Sequence, residues 1–394
     1  MIRKHIKLIR KLAGSIARLG SGGWKSRSRI AKPVYLAYSW LVELAGDVVF
    51  FWKRHDASIK DPRRILIVKD DQLGDVLFST MLLPALAHAH PKAKIDYLVN
   101  PRSVRILEGN PHVGEVYQWN DPLLEMLPGR GGKGGWAEMR RENRRTASLL
   151  HKNGYDAVIN ARAYPPSSNA PWKGLGGKLV AFDISERSFF ADRWAEYDLD
   201  REEWRNYLEL LRPFGIDPEG GTCEEEFYGF KKTERMGEGK YAVISPISFD
   251  KERRWSDEKW RELIAFLGRK GIRVALTGIP SQEEYLKGLV SGVEGAEGTV
   301  RICTGMEMDE LGGLMKGACC FVGIDSFPAH LAIACHIPAF VFVNTRTYYL
   351  PGTSVKRFAA DARSMIPKIA GVEVCDVDAE ADAVEERMAA VLGQ

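Results

Sequence analysis

Residues 319–343 read CCFVGIDSFPAHLAIACHIPAFVFV, and the fold is decided here. Cys319-Cys320-Phe321-Val322-Gly323 has the composition of a short buried strand, and Ala339-Phe340-Val341-Phe342-Val343 is a second. The chain between them has to leave one strand, open a helix and return within about fifteen residues, which is a parallel β-α-β unit. Asp325 or Ser326 can cap that helix, Pro328 suits a first turn in which no donor is lost, and His330 falls within the same turn. Backbone N–H groups, the positive end of the helix and an imidazole then converge at the carboxyl end of a strand. Open α/β sheets bind phosphorylated ligands at such places, so the stretch reads as a diphosphate seat. The plainer alternative is a structural helix capped by Asp325 or Ser326 with His330 packed beneath it.

Outward from this unit the same alternation continues. Upstream, Tyr241-Ala242-Val243-Ile244-Ser245 is a strand, Ser256 to Lys270 a helix with acids in its first turn, Ile272 to Thr277 a strand and Gln282 to Val290 a helix. A separate series starts at Arg63, with strands at Ile65–Val68 and Ile95–Val99 and a helix entered through Gln72-Leu73-Gly74-Asp75 and running through Leu86. Further strands are expected at 113–117, 157–160 and 179–182, and a terminal helix at 378–392. Pro213, Pro218 and Gly220-Gly221 punctuate the polar connection between the two series. The expected organisation is a helical extension over residues 1–60, an α/β domain over 61–215, a second over 216–375 and a C-terminal helix over 376–394. Two such domains would face one another across a cleft.

The 394 residues carry a formal net charge of only +4, but the charge is uneven. Residues 1–32 hold ten Lys or Arg and no acid, so the basic excess sits in one arm and not across a nucleic-acid-binding face. On a helical wheel Ile2, Ile6, Leu8, Ile9, Leu12, Ala13, Ile16 and Leu19 share one side, with Arg3, Lys4, Lys7, Arg10, Lys11 and Arg18 opposite. A basic amphipathic helix of this kind suits an anionic membrane surface, each cation adding roughly 1 kcal/mol. Residues 35–52 are apolar and aromatic, but Glu43 and Asp47 oppose a spanning helix, so interfacial insertion aided by Trp40 and Trp52, or packing on the first domain, is expected. The six cysteines show no C-x-x-C pair or zinc spacing, which points to a reducing compartment and no metal. No G-x-G-x-x-G follows a strand, which argues against a nicotinamide enzyme.

The chemistry-bearing residues stand at strand ends. Asp75 follows a tight turn at Gly74, where a carboxylate can take a proton from a bound hydroxyl. Arg253 and Arg254, after the first strand of the second domain, can bind a diphosphate bidentately, and Gln282 or Glu283 can bind ribose hydroxyls. Arg140, Arg141, Arg144 and Arg145 form either a solvated face or a rim for an anionic acceptor.

The segment ILIVKDDQLGDVLFSTMLLPALAHAHPKAKIDYLV, followed in order by SPIS…KERRWSDEKW, LTGIPSQEE and FVGIDSFPAHLAIACHIPAFVFVNT, resembles glycosyltransferase family 9, the bacterial lipopolysaccharide heptosyltransferases. The resemblance implies a GT-B fold of two Rossmann-like domains. It also implies inverting transfer from an ADP-sugar, ADP-heptose in the family, to a lipid-linked core glycan at the cytoplasmic face of the bacterial inner membrane. Within it Asp75 matches the general base, Arg253 the position of a diphosphate-binding Lys with Arg254 beside it, and Glu283 or Gln282 the ribose-binding acid. Asp325, Ser326, Phe327 and His330 match the D-[TS]-G-x-x-H donor loop, with Phe327 replacing its Gly. Val343-Asn344-Thr345 stands in place of Gly-Pro-Thr, and the basic, aromatic extension is an addition to the family pattern.

Overall fold

The computed structural model describes residues 4–6, 9, 28–119, 136–163, 169–185, 187–198, 201–221, 224–231, 236–247, 254–343 and 370–393. An N-terminal helix α1 (Ser28–Val49) precedes the first α/β series, which runs β1 (Arg64–Val68), α2 (Leu73–Ser79), α3 (Leu83–Ala89), β2 (Lys94–Val99), α4 (Val104–Leu107), β3 (Val116–Gln118), α5 (Trp136–His151), β4 (Ala157–Asn160), β5 (Lys178–Phe182), β6 (Arg193–Ala195) and α6 (Glu203–Leu208). The second runs β7 (Tyr241–Ser245), α7 (Asp257–Arg269), β8 (Arg273–Gly278), α8 (Glu283–Val290), β9 (Val300–Thr304), α9 (Met308–Lys316), β10 (Cys320–Ile324), α10 (Phe327–Ala334), β11 (Ala339–Val343), β12 (Val372–Asp376) and α11 (Ala381–Leu392).

Each series forms a six-stranded sheet, ordered β3-β2-β1-β4-β5-β6 and β12-β11-β10-β7-β8-β9, and the named strands pair in parallel throughout. Counted within its own series the second order is the first one reversed, so both sheets change winding direction between their first and fourth strands. A crevice opens at such a point, beyond the strands' carboxyl ends. Strands β7, β10 and β11 are buried along their whole length, which explains why they read as unbroken apolar runs in sequence. The three strands that sequence periodicity misses, β6, β9 and β12, lie at sheet edges, where Arg193, Arg301 and Glu373 interrupt the apolar pattern.

The helix expected to run from Gly74 through Leu86 is broken. A 3₁₀ turn over Thr80–Leu82 separates α2 from α3, because Pro84 has no N–H to continue the ladder. The hydroxyls of Ser79 and Thr80 reinforce the break by donating back to Val76 O (2.7 Å) and Leu77 O (2.6 Å). Helix α10, from the second sheet, packs on α2 of the first, and residues of both helices belong to one apolar core. The two switch points are thereby brought face to face.

The N-terminal extension departs from its expected polarity. Lys4, assigned above to the polar face, is buried, with Nζ 2.6 Å from Glu43 Oε1 and 2.8 Å from Asp47 Oδ2, while Ile6 and Ile9 are exposed. Burying one cation is stabilising only because two carboxylates of α1 meet it. The remaining residues of the first helix lie largely outside the described set. Among the described residues no helix is long and apolar enough to cross a membrane.

Candidate active site at the junction of the two sheets

The turn after β1 presents Lys69, Asp70, Asp71 and Asp75 to the crevice. Lys69 is buried and donates to Asp71 Oδ2 (2.8 Å) and to the Tyr207 hydroxyl (2.5 Å), a residue of α6. Arg162, just beyond β4, donates to Asp70 O (3.0 Å) and lies 3.5 Å from Asp71 Oδ1. This lattice, built from the two strands that flank the switch point, fixes the turn that carries Asp75. Gln72 occupies the N-cap of α2 in extended backbone without a side-chain cap, so Asp75 enters the first helical turn, where the dipole favours a carboxylate.

Asp75 is partly exposed yet enclosed by protein, and its carboxyl is pushed up to about 6. Burial is the chief cause, the Asp71 charge adds to it, and Lys69, His330 and Arg162 oppose it. A carboxylate in that range is ionised near neutral pH yet basic enough to accept a proton.

From the other side, α10 delivers His330. Its Nδ1 lies 2.9 Å from Glu225 Oε1 and 3.2 Å from Oε2, and both side chains are buried. Burial pulls the imidazole toward neutrality, but the charge of Glu225 and the hydrogen bond to it prevail, with Asp325 and Asp75 adding, and lift it to about 9. Glu225 is itself raised by burial and held down by His330. The ionised carboxylate accepts only, so Nδ1 carries a proton toward it and Nε2–H points elsewhere. It points toward α2: a Cβ on Gly74 would stand 2.8 Å from His330 Cδ2 and 3.4 Å from Nε2. Only glycine permits this approach, which puts the imidazolium beside Asp75. The ring also meets Phe78 edge-on, with centroids 5.9 Å apart.

The other expected site residues are distributed unevenly. Ser326 stands at the N-cap of α10, but its hydroxyl donates to Ile324 O (2.9 Å) and caps nothing, which leaves the N-terminal N–H groups of the helix without a side-chain cap from it. Asp325 is close enough to raise both His330 and Glu225. Phe327, in place of glycine, packs against the apolar core that the two sheets share, and its Cα would lie 3.6 Å from a Gly74 Cβ. Gln282 turns back on its own loop, its Oε1 accepting from Ile279 N (3.0 Å). Glu283 accepts from Thr304 Oγ1 (2.9 Å) and pairs with Lys287 (3.0 Å), and these contacts lower its pKa. Both stand at the carboxyl end of β8, in the same row of strand ends as Asp325. Arg254 is exposed and acts electrostatically on Tyr285 of α8. Arg253 and the basic loop at 128–135 lie outside the described residues; Arg141, Arg144 and Arg145 are exposed on α5.

Sequence reasoning assigned no role to Glu225, Lys69, Tyr207 or Arg162. Glu224-Glu225-Glu226 lies in the polar connection between the two series, and nothing in it marks the middle acid as buried. Arg162 did carry a signal, since it follows the strand paired with β1.

The model of glycosyltransferase family 9 (heptosyltransferase) matches residues 144–358, more than half of the chain. The chain belongs to glycosyltransferase family 9. It is 25% identical over 293 residues to lipopolysaccharide heptosyltransferase 1 of Escherichia coli K12, covering 70% of this chain and 86% of the relative. With lipopolysaccharide heptosyltransferase 3 of the same organism it shares 26% identity over 292 residues, 67% of this chain and 78% of that one. The solved structure of E. coli heptosyltransferase WaaC with ADP superposes with a TM-score of 0.65 at 21% identity, over 83% of this chain and 99% of that one. E. coli ADP-heptose lps heptosyltransferase II gives 0.64 at 17%, over 84% and 99%. The paired, oppositely ordered sheets are thus the GT-B fold, and this family 9 member is a glycosyltransferase.

Proposed function

We propose that this glycosyltransferase moves heptose from ADP-heptose to a sugar of a lipopolysaccharide core acceptor, with inversion at the anomeric carbon. The observation that carries the reading is the junction of Asp75 and His330 across the two switch points, a carboxylate of raised basicity beside a buried imidazolium. The donor lies on the second sheet. Its diphosphate sits at the start of α10, near Asp325, Ser326 and Phe327, with Arg253 and Arg254 beside it, and Glu283 or Gln282 meets the ribose. Asp75 takes the proton of the acceptor hydroxyl while that oxygen bonds to the anomeric carbon from the face opposite the diphosphate. The bond from that carbon to the phosphate oxygen breaks, and the electron pair leaves with ADP. His330 Nε2–H and the arginines stabilise the charge that develops there, so no metal and no bound cofactor are needed. Because the acceptor is lipid-linked, the enzyme works peripherally at the cytoplasmic face of the bacterial inner membrane, against its anionic surface.

The relatives named above are lipopolysaccharide heptosyltransferases, which supports the donor and acceptor class. A second reading keeps the fold and mechanism but takes a different nucleotide sugar for another surface glycan; it is favoured by Phe327, whose side chain occupies space that glycine leaves open. Calorimetric titration with ADP, UDP and GDP, with and without Mg²⁺, separates the two. Selective ADP binding, weakened in Arg253→Ala and His330→Ala, followed by turnover of ADP-heptose, is expected. Selective UDP or GDP binding would overturn the heptose reading in favour of the second, and binding of none would favour a non-catalytic scaffold or an acceptor that must bind first.

A further inference from the structure

We infer that the outer face of α1 and the turn that follows it is a docking surface for an anionic lipid bilayer. The inference rests on the reading of a membrane-borne acceptor. Helix α1 is inside out for a water-facing helix. Its acids Glu43 and Asp47 are buried against the protein, whereas Tyr38, Leu41, Leu44 and Val48, spaced three or four residues apart, are exposed on the opposite side. Leu41 is 56% and Val48 63% exposed, and Phe51 and Trp52 in the next turn are 71% and 64% exposed.

The inward placement is built, not incidental. Glu43 Oε1 accepts from Lys4 Nζ (2.6 Å) and from Ser188 Oγ (2.6 Å), Asp47 accepts from Lys4 (2.8 Å), and Lys4 stands 4.7 Å from the centre of the Trp194 ring. At Gly46 the helix lies so close to the first domain that a Cβ would fall 2.2 Å from the Phe189 ring. One rotational setting is therefore locked, and it turns away from solvent the two carboxylates that would resist lipid contact. The same contacts turn an apolar stripe outward.

Charge selects the occupant. Residues 1–32 carry ten Lys or Arg and no acid. After the exposed aromatic pair, Lys53 turns inward to Asp192 (3.1 Å) and Phe190 O (2.7 Å), and Arg54 is exposed and paired with Asp56. A second copy of this chain would bring a second N-terminal segment of like charge, whereas an anionic bilayer complements that charge. The exposed aromatics Phe51 and Trp52, with Arg54 nearby, match the arrangement at a membrane–water interface.

The test uses the full chain and sedimentation with vesicles of phosphatidylcholine alone or mixed with phosphatidylglycerol. Wild type is expected to sediment with the mixed vesicles. The double variant Leu41→Gln/Val48→Gln, altered only at exposed side chains, is expected to bind them at least about tenfold more weakly. Its ADP titration and thermal midpoint should match wild type, so a failure of the transferase reading would show in the nucleotide titration and not in sedimentation. Quenching of fluorescence by brominated lipid chains should fall in Trp52→Phe. Absence of wild-type binding to either vesicle would overturn the proposal. So would equal binding by the double variant, which would assign attachment to the basic arm alone, or a change of oligomeric state in the variant without loss of vesicle binding.

Discussion

Substituting Glu225 by Gln isolates the charge that holds His330 protonated, because an amide oxygen can still accept from Nδ1–H and keep the ring in place. With Asp75 at about 6 and His330 at about 9, roughly nine-tenths of the molecules at pH 7.5 hold the carboxylate and the imidazolium together. Glu225 is the main force raising His330, and burial acts against it. Without the Glu225 charge the ring should fall to or below its ordinary 6.5. That change is worth about 3 kcal/mol between the two protonation states. The protonated fraction at pH 7.5 then drops to about one in ten, and at pH 8.5 to about one in a hundred, against about three-quarters in the wild type. The profile of kcat/KM against pH, measured with an ADP-sugar donor, should therefore lose its alkaline limb near 9 and decline from about 6.5. Neutral His330 no longer holds Asp75 down, so the acid limb should move upward at the same time. Proton NMR titration of the His330 ring supplies a readout independent of turnover. Stability gives a third: the raised His330 contributes fully below 6.5, and that contribution is lost as pH rises through about 9, a slope that the variant should lack. An alkaline limb that stays near 9 in Glu225→Gln would refute the reasoning.

Asp75→Asn should lower turnover by about two to four orders of magnitude with ADP binding retained, and loss of ADP binding would count against its role as base. The same change should stabilise the fold at pH 7.5 by up to about 3 kcal/mol, since the native carboxyl is raised from 3.8 to about 6 and its ionised form is disfavoured. Wild-type stability falls as pH climbs through that interval, so the gain should vanish below about pH 4 in chemical denaturation; a destabilised variant at pH 7.5 would contradict the assigned electrostatics. Gly74→Ala puts a methyl 2.8 Å from a ring that Glu225 holds in place, so α2 and α10 must move apart. A stability loss of about 1–3 kcal/mol and a turnover loss exceeding that of an exposed-site alanine are expected, read by denaturation and by initial rates.

The fold was legible wherever strands are buried on both faces. Tyr241–Ser245 and Ala339–Val343 stand where their unbroken apolar runs indicate, because a fully buried strand tolerates nothing else. Edge strands such as Val300–Thr304 and Val372–Asp376 carry charges on an open side and leave no such trace. At the site, Asp75 and His330 could be found because each follows a strand end in a turn-to-helix pattern. Glu225 could not, since a carboxylate in an acidic run announces nothing about burial.

Sequence by itself determined the two parallel sheets, the family and the residues that stand at their carboxyl ends, since these follow from local periodicity and from short motifs. Tertiary structure alone decided which of those residues act on one another. His330 faces Asp75 only because Gly74 lets α10 close on α2, and it is cationic only because a connecting segment buries Glu225 against its ring. The N-terminal extension shows the same division. Composition gave its basic arm and apolar stretch, but the outward face of α1 depends on Lys4 reaching Glu43 and Asp47, about forty positions away, a pairing that helical periodicity does not encode.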